Sequence, residues 1–124
     1  MVICDTNIVI ELFKNNQQVK DRFKEIGTNN LAISAITAGE FFFGAFNKNE
    51  MFRIIKHLHN YSILDLNVEI THRFLALMQQ YSLSHRPFIG DMLIAATALS
   101  YNCELYTLNI KDFSFISEIK LLNP

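Results

Sequence analysis

Short apolar runs separated by stretches of helical periodicity constrain this chain more than any other feature. Val2–Cys4, Leu31–Ser34, Tyr61–Leu64, Glu104–Tyr106 and Lys120–Leu122 are rich in Ile, Leu, Val and Tyr without clean alternation. Runs of that kind suit strands of a parallel sheet covered on both faces. Between them, helices are expected over Asn7–Ile26 (one long or two short), Thr37–Asn47, Glu50–His59, Val68–Tyr81 and Ile89–Ser100. In the last, Ile94, Ala95 and Ala98 share a face with Asp91. Alternating strand and helix implies an α/β/α sandwich with right-handed crossovers and a mainly parallel sheet of about five strands.

At 124 residues, half of them hydrophobic and eleven of them Phe, the chain (1–124) has material for one domain with one real core. The net charge of −1 gives no basic footprint, so composition alone does not suggest a nucleic-acid partner. Bound divalent cations would make the working surface more positive than this count. Cys4 and Cys103 lie outside any metal-ligand spacing, and Cys4 reads as a small core residue. Asp5 interrupts the apolar start where a signal peptide would need its h-region, and no window approaches a membrane span. The expectation is a soluble, reduced, cytoplasmic protein with no membrane partner.

In parallel α/β folds, ligands sit beyond the carboxyl ends of the strands, where strand order reverses. Asp5 follows the first strand, Glu40 lies just after the second, Asn109 follows the fourth, and Asp91 opens the helix leading into the fourth. Three acids and an amide are thus expected at one sheet edge. Such a cluster suits Mg²⁺ or Mn²⁺, which prefer oxygen ligands, and the hydrolysis these ions promote. Each residue also has a purely structural reading. Asp5 suits an N-cap. Thr37-Ala38-Gly39-Glu40 spells a capping box. Asp91 is a first-turn acid favoured by the helix dipole. Asp112 could follow an Asn109 cap. The four histidines fit no catalytic or zinc pattern and are expected at the surface; His57 and His59, two apart, do not share a helix face. Phe41, Phe42, Phe43 and Phe46 are too many for one narrow core stripe, so at least one is expected to face a partner, with a wide buried helix as the alternative.

Four segments carry a resemblance. MVICDTNIV at Met1–Val9 resembles the first strand of PIN domains, with its Asp-Thr-Asn. SAITAGEFFFG at Ser34–Gly44 is similar to the family's Ser-x-x-Thr-x-x-Glu-Leu-x-x-Gly, with Phe41 in place of Leu. IGDMLIAATAL at Ile89–Leu99 resembles its Asp-x-x-Ile-Ala-Ala helix, and TLNIKDF at Thr107–Phe113 its closing Thr-x-Asn/Asp-x-x-Asp-Phe element. They occur in order along the whole chain, and the small single-domain form is most similar to the VapC toxins of bacterial type II toxin–antitoxin pairs.

The resemblance implies a PIN fold, Mg²⁺- or Mn²⁺-dependent cleavage of RNA, a cognate protein antitoxin and a homodimer. It assigns metal binding and catalysis to Asp5, Glu40 and Asp91. The family's fourth position, often Asp, is Asn109 here, and Asp112 is close enough in sequence to substitute partly or to buttress the loop. Asn7 and Thr107, with Thr6 and Ser34, are expected to orient carboxylates. Arg86, beside Pro87, could contact substrate phosphate or stand as a solvated loop charge. Two other readings stay open. One is an inactive PIN-like binding module, which Asn109 favours. The other is a phosphotransferase of the haloacid-dehalogenase type, whose opening Asp-x-Asp resembles Asp5-Thr6-Asn7.

Overall fold

The computed structural model describes residues 1–122. Four strands, β1 (Val2–Cys4), β2 (Leu31–Ser34), β3 (Ser62–Leu64) and β4 (Glu104–Tyr106), form one sheet in the order β3-β2-β1-β4. Every pairing is parallel. The helices are α1 (Thr6–Phe13), α2 (Gln17–Ile26), α3 (Ala35–Phe43), α4 (Lys48–Leu58), α5 (Val68–His85) and α6 (Ile89–Ser100).

The strands lack alternation because both faces are covered. Ile3, Ala32 and Leu105 point into a core shared with Ile70 and Leu77 of α5 and Met92 and Ala95 of α6. Their neighbours Val2, Cys4, Leu31, Ile33 and Tyr106 enter a second core with Ile8, Phe23, Phe41 and Ile54. Two apolar layers on one sheet give the α/β/α sandwich.

Several boundaries differ from the sequence expectation, each for a local reason. The sheet has four strands rather than about five. Over Lys120–Leu122, pairing is confined to one bridge, Leu105 with Leu121. Tight turns through Phe113, Ile116 and Ile119 bring the chain to β4 at that residue only. Tyr61 is not part of β3. Its N–H closes the turn after α4 on Leu58 O at 3.2 Å, and its ring packs edge-on against Phe23. The stretch Asn7–Ile26 holds two helices: Asn15 adopts φ 63°, and the Asn16 side chain caps α2 at Val19 N. Left-handed backbone of that kind favours Asn and stops a helix. Helix α5 runs one turn beyond Tyr81 and ends at Arg86, φ 48°, just before Pro87.

The start of α3 determines where Glu40 stands. Ser34, fully buried at the end of β2, caps the helix by accepting from Thr37 N at 3.1 Å. Thr37 therefore sits inside the first turn, and the expected capping box does not form. Glu40 falls a turn further on and is free for other contacts. Removing this cap with Ser34→Ala should lower stability by about 1–2 kcal/mol, because it also leaves a helix-terminal N–H unpaired. Urea unfolding checks this; a change of only a few tenths would mean that the cap contributes little.

Candidate active site at the sheet's carboxyl edge

Strand order reverses between β1 and β4, and their carboxyl ends define the crevice. Asp5 occupies it. The residue is only 5% exposed, and its backbone N–H extends the ladder to Tyr106 O at 2.9 Å. Both carboxylate oxygens are held: Oδ1 accepts from Thr6 N at 2.7 Å and Oδ2 accepts from the Thr107 hydroxyl at 2.7 Å. Asp5 is thus the N-cap of α1 and is also tied across to β4. Thr107 is itself fixed, its hydroxyl accepting from Asn109 N at 3.0 Å. Burial raises the Asp5 pKa, Thr107 and Thr6 hold it down, and the charges of Glu40 and Asp112 raise it further.

Glu40 reaches the same edge from α3. Its Oε1 accepts from the Thr6 hydroxyl at 2.9 Å, and the Thr6 and Thr37 hydroxyls lie 3.2 Å apart. Its Oε2 lies 3.8 Å from where a Cβ at Gly90 would stand, so Glu40 lies against the first turn of α6. Asp91 sits in that turn. Its pKa is pushed up to about 6, first by burial, then by the charges of Asp5, Asp112 and Glu40. Asp112, in the single 3-10 turn Ile110–Asp112 after β4, completes the group. Four carboxylates from separate elements therefore feel one another. Among the described residues none has an ion-pair partner.

The remaining candidates fall into place around them. Asn109 is exposed, and Asp112 rather than Asn109 supplies the fourth charge felt by Asp5 and Asp91. The Asn7 side-chain oxygen accepts from Leu108 N at 3.4 Å, so Asn7 holds the loop after β4 rather than a carboxylate. Thr6 and Thr107 each bond a carboxylate; among the described residues Ser34 bonds only the α3 backbone. The sequence does not single out Gly90, and Thr37 stands in it only as part of the Ser-x-x-Thr-x-x-Glu segment and of the capping box. The capping-box pattern at Thr37 masks the hydroxyl that neighbours Thr6. His57 is half-buried rather than exposed. Its ring packs against Phe13, Phe41 and Tyr61 and bonds the Tyr61 hydroxyl at 2.9 Å, because α4 turns that face toward the aromatic side of the second core. Of the Phe run, Phe41 is buried, whereas Phe43 and Phe46 are 93% and 89% exposed.

The sequence matches the PIN domain family over residues 2–116. The chain belongs to the PIN-domain family. This membership sets aside the phosphotransferase resemblance. Among PIN relatives, the chain is 34% identical to a "Ribonuclease VapC1" of Haemophilus influenzae strain R2866, covering 94% of this chain and 92% of that protein. It is 33% identical to the "Ribonuclease VapC1" of Methanocaldococcus jannaschii, over 97% of this chain and 84% of that one. The structure of VapBC-1 from nontypeable Haemophilus influenzae superposes with a TM-score of 0.85 at 29% identity, covering 99% of this chain and 98% of that chain. A toxin–antitoxin complex from Klebsiella pneumoniae superposes with a TM-score of 0.81 at 32% identity, over 96% and 95%.

The donor set is chemically right for a hard divalent cation: carboxylate oxygens with uncompensated charge. It is not a closed cage, since among the described residues no three of His, Cys, Asp and Glu are gathered as a metal-binding group. An ion that keeps most of its own waters and takes one or two carboxylates suits such an open PIN site.

The raised Asp91 pKa sets a direction for stability. Between about 4 and 6 the metal-free native state binds more protons than the unfolded chain, so stability falls as pH rises through that window. Above it, Asp91→Asn should be more stable than the parent in chelator by about 1–2 kcal/mol, less than the full shift because the carboxyl is partly solvated. Urea melts at several pH values test this. A mutant that is less stable throughout would mean that Asp91 merely complements the helix dipole.

Proposed function

We propose that this PIN domain is a Mg²⁺- or Mn²⁺-dependent endoribonuclease and the toxin of a type II toxin–antitoxin pair. One observation carries the chemistry: four carboxylates share the sheet edge with no cationic partner among the described residues. That arrangement costs stability by itself and is relieved by a divalent cation. The ribonuclease names of the full-length relatives support RNA as substrate.

In this reading Asp5, Glu40 and Asp91 would supply the one or two direct carboxylates and steady the ion's waters with the rest, with Asp112 adding charge. When bound, the ion offsets charge on a phosphodiester and makes water nucleophilic. The protein's part is placement. Thr107 and the Thr6 amide fix both oxygens of Asp5, so the buried carboxylate cannot rotate away. The Thr6 hydroxyl steadies Glu40. Gly90 lies beside Glu40, where a Cβ would make ordinary van der Waals contact with Oε2 at 3.8 Å.

Neighbours solved as VapBC or toxin–antitoxin complexes support a protein antitoxin as partner. The exposed Phe43 and Phe46, with Phe52, offer apolar area to that partner or to a second copy of the chain. In this reading the domain pairs with a second copy of itself and is held silent by its antitoxin.

Purified wild type should cut RNA with Mg²⁺ or Mn²⁺ and stop in excess chelator, and Asp5→Asn should lower cleavage at least about a hundredfold while remaining folded, the scale of losing a metal-orienting group. Expression of the wild type, but not Asp5→Asn, should arrest growth. Cleavage that survives chelator would contradict the metal role; no cleavage under any metal would favour the inactive binding module.

A further inference from the structure

We propose that the cleft between the end of α5, the start of α6 and the Ile110–Asp112 turn carries the RNA strand beside the acidic site. Arg86 and Lys111 contact phosphates next to the scissile one, and Phe88 stacks on a base. The inference rests on the ribonuclease reading and adds where the strand lies.

Arg86, Phe88, Asp91, Lys111 and Asp112 line one cleft. Asp91 and Asp112 also belong to the acidic group, so the cleft opens directly onto it. Although two carboxylates share this cleft, neither Arg86 nor Lys111 forms an ion pair among the described residues. Both cations are exposed and available for phosphate. Their positions are firmly set. Arg86 sits at φ 48° between the last turn of α5 and Pro87, and Lys111 lies within the 3-10 turn. The wall behind them is braced by His85, whose ring stacks on Phe115 with centroids 4.2 Å apart and 18° between planes. His85 Nδ1 is also 2.7 Å from the Ser84 hydroxyl.

Phe88 stands at the N-cap of α6 and is 72% exposed, an aromatic with no role in either core. Cations that follow the backbone, combined with an exposed ring, form the usual recognition unit for single-stranded nucleic acid. With a whole-chain charge of −1, RNA affinity has to come from such a local feature rather than from a general basic surface.

The test is fluorescence anisotropy with a short mixed-sequence single-stranded RNA across a salt series, with Ca²⁺ in place of Mg²⁺. The double variant Arg86→Asn with Lys111→Gln should bind at least about tenfold more weakly, and its log-affinity against log-salt slope should shrink by about 1.4, since each phosphate contact on a single strand contributes about 0.7. Asn is well tolerated at a left-handed position, so the fold should hold. Arg86→Lys should keep the slope. Phe88→Ala should weaken binding about tenfold with the slope unchanged, the mark of lost stacking. An unchanged slope in the double variant overturns the cleft. If the wild type still cleaves RNA in Mg²⁺ in that case, only the cleft fails; a wild type that neither binds nor cleaves defeats the ribonuclease reading with it.

Discussion

The hydrogen bond from the Thr107 hydroxyl to the Asp5 carboxylate is the contact around which the rest of the site is arranged. It spans the place where strand order reverses, joining the end of β1 to the end of β4. Through Oδ1 the same carboxylate starts α1, and through its backbone N–H the residue extends the β1–β4 ladder. A buried carboxylate is costly unless hydrogen-bonded. Here two strong bonds offset part of the burial cost, and the residue stays where both strands need it.

The surrounding acids make sense relative to that node. Glu40, Asp91 and Asp112 arrive on α3, α6 and the turn after β4, all of which begin or end at the carboxyl edge of the sheet. Parallel topology favours this, because α3 and the turn after β4 follow directly on strand ends and α6 leads back into β4. The result is a concentration of like charge that packing alone would not favour. The open geometry has a functional consequence. With an ion bound as proposed, a site without a closed cage would leave coordination positions for water and a phosphodiester, whereas a fully ligated one would only store the metal.

Much of this was legible in the sequence, for identifiable reasons. Val2–Cys4, Leu31–Ser34 and Glu104–Tyr106 were readable because strands buried on both faces leave continuous apolar runs. Asp5 and Asp91 could be placed at one edge because position relative to a parallel strand determines which end a residue occupies. What stayed hidden depended on side-chain competition. The capping box at Thr37 and Glu40 is a real local pattern, but Ser34, three residues upstream of Thr37, takes the cap and releases both side chains. The last strand shrank to Leu121 because turns, not hydrophobicity, decide how many residues reach β4. His57 looked polar and therefore external, yet Phe13 and Phe41 come from α1 and α3 to cover it, and Tyr61 closes over it from the turn after α4. Spacing could not tell whether Asp112 or the neutral Asn109 completes the group; only the 3-10 turn brings the Asp112 charge to bear on Asp5.

Carboxyl-carbon NMR titration, with and without Mg²⁺, tests most directly the claim that these acids form one cation site. Asp91 should titrate near 6 in chelator. Mg²⁺ should lower this midpoint and move the Asp5, Glu40 and Asp112 resonances together, leaving those of Asp21 and Asp65 in place. Mg²⁺ that leaves the four unmoved, or shifts them no more than Asp21 and Asp65, would contradict a shared cation site.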